Sequence, residues 1–428
     1  MSGFPRTGSS NDELFSYLNG RSEEHLLYAI LPLCLGTFVL GIDAYIMAGL
    51  LPGIGESFGV PTAITGQTVS VFTICYAVSA PIFGALTAGR SVRHVLCTAL
   101  AIFGLANALS GIADSFSVLL VSRAIAGIGA GLYSPTAFSA AASLVPYRQR
   151  GRALGLVVGG LAMGTAVGVP CGLVLAQYLG WRMTLMSITA LSVLALVAVA
   201  LRLPQIFAAV PPSLSQRLSV LADPRVAATI AISFATSVAS IGLYTYVAPL
   251  LLALTASASV LPHLWAWSLG GLVGIYISGR LVDATGRPEW VMVAVLSIMT
   301  VVFIVLNWLL PLAALGLCCF GLWGATAWAS QGPQQHRLLS LHPDKGGVVV
   351  ALQSSAHYSG SAAGAALGGL ALVGGVPLAQ LPYLAAAVAA LASICQLWLA
   401  IRSKSSSAAA NGEDCPSKAF VAVEGDLS

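Results

Sequence analysis

The sequence divides into twelve long apolar runs separated by short polar breaks. They lie near residues 26–51, 63–88, 95–113, 118–144, 153–179 and 183–203, and again near 226–252, 258–279, 290–310, 312–335, 347–373 and 379–401. About 20 apolar residues are what an α-helix needs to cross a hydrocarbon core of about 30 Å, and in lipid a helix satisfies its own backbone N–H and C=O groups. The chain therefore reads as an all-α membrane protein with twelve transmembrane helices. Composition agrees, with 57% hydrophobic and only 8% charged residues, where soluble domains carry about 25% charged.

The basic residues set a topology. Cytoplasmic loops retain Lys and Arg while translocated loops shed them. Alternate breaks carry Arg6, Arg21, Arg90, Arg93, Arg148, Arg150, Arg152, Arg202, Arg217, Arg225, Arg280, Arg287, Arg337, Lys345, Arg402, Lys404 and Lys418, whereas the other breaks carry only Arg182. Both termini are expected in the cytoplasm. The organisation expected is a polar N-terminal tail over 1–24, a six-helix bundle over 25–203, a cytoplasmic linker over 204–225, a second six-helix bundle over 226–401 and a disordered tail over 402–428. An internal repeat supports two similar bundles: GALTAGRSVRH follows helix 2 from Gly84, and GRLVDATGR follows helix 8 from Gly279. In these short turns the Arg and Asp residues can pair.

Other classes are disfavoured. The net charge of +4 is spread over loops, not gathered into a nucleic-acid-binding stripe. The eight cysteines form no C-x-x-C pair or metal spacing, so no metal and no cofactor are expected. The acidic residues Asp12, Glu13, Glu23 and Glu24 do not suit a cleavable signal peptide. No Walker loop or nucleophile–base constellation is present, which points away from ATP hydrolysis and catalysis, toward transport driven by an ion gradient.

With these features the chain resembles the major facilitator superfamily, and within it the twelve-helix drug/proton antiporters close to purine, sugar and arabinose efflux transporters. The resemblance covers nearly the whole chain. Besides the two loops, it rests on AGLLPGI at the end of helix 1, GQTVSVFTICYAVSAPIFGALTA in helix 2 and SRAIAGIGAG from Ser122 in helix 4. It extends through RQRGRALGLVVGGLAMGTAVGVPCG in helix 5, LYTYVAPLL from Leu243, and WASQGPQQHRLL from Trp328. It implies a monomeric, proton-coupled exporter in a bacterial inner membrane, with small molecules, protons and lipid as partners and no nucleic acid. The residues implied to serve conformational change are Gly84, Arg90 and Arg93 in the first loop, Gly279, Asp283, Gly286 and Arg287 in the second, and Gly155, Gly164, Gly168, Pro170 and Gly172 in helix 5. Two departures stand out: Ala88 replaces the family's acidic residue in the first loop, and an inserted Val169 separates the Gly-Pro pair of helix 5.

Of the fifteen acidic residues only Asp43 lies inside an apolar run. A charge there costs about 3 kcal/mol on the lenient insertion scale, and such residues are usually functional. A carboxyl that is neutral or ionised according to the water or cation beside it suits proton coupling. The alternatives are a fixed ion pair or a polar residue facing a wet cavity. Arg123, in helix 4, is the other intramembrane charge. With helix 1 ending near Pro52, a rise of about 1.5 Å per residue places both at similar depth, so the two are expected to attract one another, as a switch or as a static clamp.

Substrate is expected at the midplane between the bundles. Candidate liners are Tyr45, Met47, Asn107, Tyr133, Met163, Tyr244, Tyr246, Trp328, Gln331, Gln334, Gln353, His357 and Tyr358. Their rings and amides could stack on and hydrogen-bond a flat or polyhydroxylated ligand. Taken singly, each is better read as core packing or lipid contact. An importer, a gradient-independent facilitator and a receptor built on a transporter fold are the competing functions.

Overall fold

In the computed structural model the described residues are 10–87, 89–145, 149–206, 219–255, 260–342 and 345–412, and among them every long element is helical. The first half holds α1 (Ser10–Phe58), α2 (Thr62–Thr65 continuing as Gln67–Leu86), α3 (Val92–Gly111), α4 (Phe116–Ser143), α5 (150–179) and α6 (181–202). The second half holds α7 (Pro224–Thr245 continuing as Val247–Leu254), α8 (Leu261–Thr285), α9 (Pro288–Leu309), α10 (Ala313–Ala329 continuing as Gln331–Leu341), α11 (Gly346–Val373) and α12 (Leu381–Gly412). Among the described residues nine stretches are long and apolar enough to span a membrane. One of them, Arg152–Arg202, contains both α5 and α6, which separate at Gly180. The two helices outside that set, α8 and α11, match the others in length but carry more glycine and polar residues, such as His263, Ser268, Arg280 and Asp283 in α8 and Gln353, Ser354, Ser355 and His357 in α11. Gly180 takes φ 80° and ψ 168°, a region only glycine enters without strain.

Several boundaries differ from the sequence expectation. Pro52 does not end α1, which runs seven residues past position 51 to Phe58. A proline inside a helix forfeits one backbone bond, and interhelical packing tolerates that loss in a membrane helix. At the other end α1 begins at Ser10, inside the segment expected to be a tail, and α12 continues to Gly412. Residues 1–9 and 413–428 lie outside the described residues, as do 207–218 of the expected linker. In α7 the chain breaks at Tyr246 (φ −100°, ψ 14°), because Pro249 has no N–H to bond the carbonyl of Thr245. Arg337, expected in a loop, lies within the second part of α10 and is 6% exposed.

The packing repeats between halves. In the first, α1 lies on α5, α4 on α2 and α3, and α3 on α6; in the second, α7 lies on α11, α10 on α8 and α9, and α9 on α12. Adding six to each helix number maps one set onto the other, which makes these two pseudo-symmetric six-helix bundles. Close approach by small residues carries the repeat. A Cβ on Gly160, Gly164, Gly168 or Gly172 of α5 would strike Cys34, Phe38, Ile42 or Ile46 of α1 in turn. Four-residue ridges on both helices interlock there. In the second half Gly360 and Gly364 of α11 meet Phe234 and Val238 of α7 in the same rhythm, and Gly368 meets the ring of Tyr246 at the break in α7. The halves themselves touch where α2 meets α11, α1 meets α7, and the later turns of α5 meet α8.

Candidate functional site

Asp43 and Arg123, 80 residues apart, are brought into one bidentate ion pair. Arg123 donates from Nη1 to Asp43 Oδ1 at 2.8 Å and from Nη2 to Oδ2 at 3.0 Å. The pair is closed to solvent, with Asp43 0% and Arg123 1% exposed. Arg123 Nη1 also donates to Asn107 Oδ1 at 3.3 Å, and Asn107 is itself held by its Nδ2 on the Phe103 carbonyl at 3.1 Å. The guanidinium lies 4.6 Å from the ring centre of Phe72, close enough for a cation–π contact. Four helices thus converge on it: α1 supplies the acid, α4 the cation, α3 the amide and α2 the ring. One residue before Arg123, the Ser122 hydroxyl lies 2.7 Å from that of Ser110 and fixes α4 against α3. Arg123 Nε has no partner among the described residues.

The glycine-rich stretch of α5 lies against this pair's helix. Gly164–Gly168 form a π-helical turn that ends at Val169. A π-turn is the way a helix absorbs one extra residue, and it falls beside the insertion seen in the sequence. Gly164, Gly168 and Gly172 face Phe38, Ile42 and Ile46, on either side of Asp43, whereas a Cβ on Gly155 would meet nothing within 4 Å. Pro170 is buried in the same helix. This small-residue face therefore packs inside the first half, against α1.

A second cluster joins the halves. Tyr45 of α1 meets Tyr244, Trp267 and Trp328 at ring-centre distances of 5.7, 5.8 and 5.9 Å. Tyr76 of α2 lies over Tyr358 of α11 at 3.7 Å. One turn beyond Trp328, Gln331 Nε2 lies 3.0 Å from His357 Nδ1, and Gln353 Nε2 donates to Gln331 Oε1 at 3.4 Å. Ser268 of α8 donates to the Thr165 carbonyl of α5 at 3.3 Å.

Seven of the thirteen candidate liners gather here: Tyr45, Tyr244, Trp328, Gln331, Gln353, His357 and Tyr358. The others do not join them. Asn107 belongs to the ion pair. Tyr133 donates to the Leu33 carbonyl at 3.2 Å, between α4 and α1. Tyr246 donates to the Ala365 carbonyl at 2.6 Å, against Gly66 and Gly368 at the arginine-poor end. Gln334 turns to Met292 Sδ of α9 at 3.7 Å. Met47 is buried in the main core and Met163 is half-exposed. Tyr76, Trp267 and Phe72 were not singled out from sequence, because an aromatic residue within an apolar run looks the same whether it faces lipid, core or partner.

At the arginine-rich end, Gly84 lies near the end of α2, Arg90 is exposed and Arg93 half-buried. Gly279, Asp283 and Arg287 are exposed, and Gly286 caps α8 at φ 61°. The expected Arg–Asp pairing is not formed in the second turn: Asp283 is exposed and has no ion-pair partner among the described residues.

Comparison with known proteins gives a consistent set. The profile described as Major Facilitator Superfamily matches residues 33–365. The inner membrane transport protein YdhP of Escherichia coli (strain K12) is 28% identical over 367 residues, covering 85% of this chain and 94% of the relative. A chloramphenicol resistance protein of Streptomyces lividans is 28% identical over 270 residues, covering 61% of this chain and 67% of that protein. The crystal structure of a bacterial homologue of the human lysosomal transporter Spinster, inward-facing and unoccupied, superposes with a TM-score of 0.72 at 15% identity, covering 88% of this chain and 97% of that one.

Proposed function

The chain belongs to the major facilitator superfamily, and from that premise we propose that this multi-pass membrane protein is a proton-coupled exporter of small organic molecules in a bacterial inner membrane, with both termini cytoplasmic. The observation that carries the proposal is the sealed Asp43–Arg123 pair. With both carboxylate oxygens engaged, the pair holds α1 to α4. A proton arriving on Asp43 removes the negative charge and leaves the guanidinium only Asn107 and the face of Phe72. The arrangement is thus a two-state latch whose states differ by one proton. It stands beside the α1–α5 contact through Ile42 and Ile46, so a shift of α1 changes how α5 meets α8. In this way proton entry is coupled to the rocking of one half against the other. Export as the direction is supported by the antiporter-like glycine pattern of α5 and by similarity to a chloramphenicol resistance protein. The positively charged loops support the orientation.

The test is gradient-driven flux in everted membrane vesicles with a mixed panel of antibiotics and nucleosides. Wild type is expected to accumulate at least one compound on energisation and release it with a protonophore, and Asp43→Asn to do neither. Accumulation only under the opposite gradient would make the protein an importer. Gradient-independent flux that survives Asp43→Asn would make it a facilitator.

A further inference from the structure

Two buried polar atoms in the inter-half cluster have no partner. Among the described residues, Trp267 is 0% exposed and its Nε1–H finds no acceptor, and Gln353 is 1% exposed and its Oε1 finds no donor. Trp323 Nε1, by contrast, donates to Ser240 Oγ at 2.9 Å, whereas His263, one turn before Trp267 on α8, also lacks partners for its ring nitrogens among the described residues. The Trp267 and Gln353 atoms flank the same stretch of α10. Trp267 lies 6.4 Å from Trp328, and Gln353 binds Gln331 three residues on. The same cluster holds the rings of Tyr45, 5.8 Å from Trp267 and 5.9 Å from Trp328, and of Tyr76, 3.7 Å from Tyr358. Buried polar groups are almost always satisfied in a finished structure, so a donor and an acceptor left open beside stacked rings mark a place for a ligand with the complementary acceptor and donor.

The charge of that ligand follows from what surrounds it. Among the described residues the cluster contains amides, hydroxyls, indoles and one hydrogen-bonded imidazole, and no charged group. Asp43 and Arg123 are closed on each other. Arg337 lies two turns along α10 in the field of Glu289 and Arg225. A charged ligand placed among these neutral groups would be stripped of water with nothing to balance it. We infer that the site takes an uncharged, ring-bearing molecule that both accepts a hydrogen bond, from Trp267 Nε1, and donates one, to Gln353 Oε1. Entry requires α5 and α8 to part. A void of about 10 Å³ lies between them, lined by Thr165, Ser268, Gly271 and Trp328, beside the Ser268–Thr165 contact that would have to open.

This inference rests on the transporter reading above but is tested without any gradient. Purified protein in detergent is titrated by calorimetry with chloramphenicol, with adenosine, and with the deacylated amine of chloramphenicol, which keeps the ring and hydroxyls but carries a positive charge. The expected result is saturable binding of at least one uncharged probe, with the amine at least tenfold weaker than chloramphenicol. Gln353→Leu and Trp267→Phe should each weaken the uncharged probe by tenfold or more. Gln353→Glu should reverse the preference toward the amine, an effect that mere loss of packing does not produce. Amine binding equal to or tighter than chloramphenicol in wild type overturns the inference, and so does failure of both uncharged probes to bind. If uncharged probes bind as stated while energised vesicles show no flux, only the export proposal falls.

Discussion

Arg123 grips Asp43 through two parallel N–H···O bonds, of 2.8 and 3.0 Å, at a point where neither side chain reaches water. Such a pair is a weak source of net stability, because desolvating both charges offsets their attraction, yet removing one partner leaves the other stranded at a cost of about 3–5 kcal/mol. The two removals differ. A carboxyl freed of its cation can discharge by taking a proton, but a guanidinium stays charged. Asp43→Asn is therefore expected to lower the melting temperature of the purified protein more than Arg123→Met. The reverse order would show that the Phe72 ring and Asn107 suffice for the cation.

The helix α1–α5 contact gives a second prediction. A Cβ on Gly164 would meet the backbone carbonyl of Phe38, whereas one on Gly155 meets open space. Gly164→Ala should depress both the melting temperature and transport. Gly155→Ala should leave melting unchanged or raise it, by up to about 1 kcal/mol from helix propensity. Equal effects at the two positions would mean that α5 does not pack on α1 through this face.

The contact between Ser268 and Thr165, at 3.3 Å, is one that must open if the halves rock apart. Cysteines at both positions, in a background without native cysteines and bridged through disulfides by a short bis-methanethiosulfonate, should stop transport until the bridge is reduced. Undiminished transport by the bridged protein would place the moving interface elsewhere.

At the arginine-poor end Arg182 donates to the Ala113 carbonyl at 2.8 Å and lies 4.3 Å from the Trp181 ring centre and 5.4 Å from that of Phe58. Trp181 in turn donates to Ser57 Oγ at 2.9 Å. A planar guanidinium suits stacking in a way an ammonium does not. Arg182→Lys should cost about 1 kcal/mol in thermal unfolding, with Arg182→Ala costing more. A silent lysine variant would reduce the contact to simple charge.

By itself the sequence determined the helices and their number, because in lipid each helix must satisfy its own backbone and be apolar over its own length. It also isolated Asp43 and Arg123, since a charge within an apolar run is visible without knowledge of its neighbours. What it could not determine was which surfaces meet. The glycines of α5 were legible as a smooth face, but that this face lies on α1 is set by interlocking with Phe38, Ile42 and Ile46. The equally regular Gly360, Gly364 and Gly368 passed without notice in an alanine- and glycine-rich run. The end of α1 was placed at Pro52 by a local rule, and packing carried the helix on to Phe58; the meeting of Asp43 with Arg123 depends on how α1 crosses α4, not on counting from helix ends. The unpartnered atoms of Trp267 and Gln353, and the stacking of Tyr76 on Tyr358, belong wholly to the tertiary structure. Hydropathy is a property of one segment, whereas a hydrogen-bond partner, a stacked ring or a close backbone approach is a property of two, and only the folded arrangement decides the second.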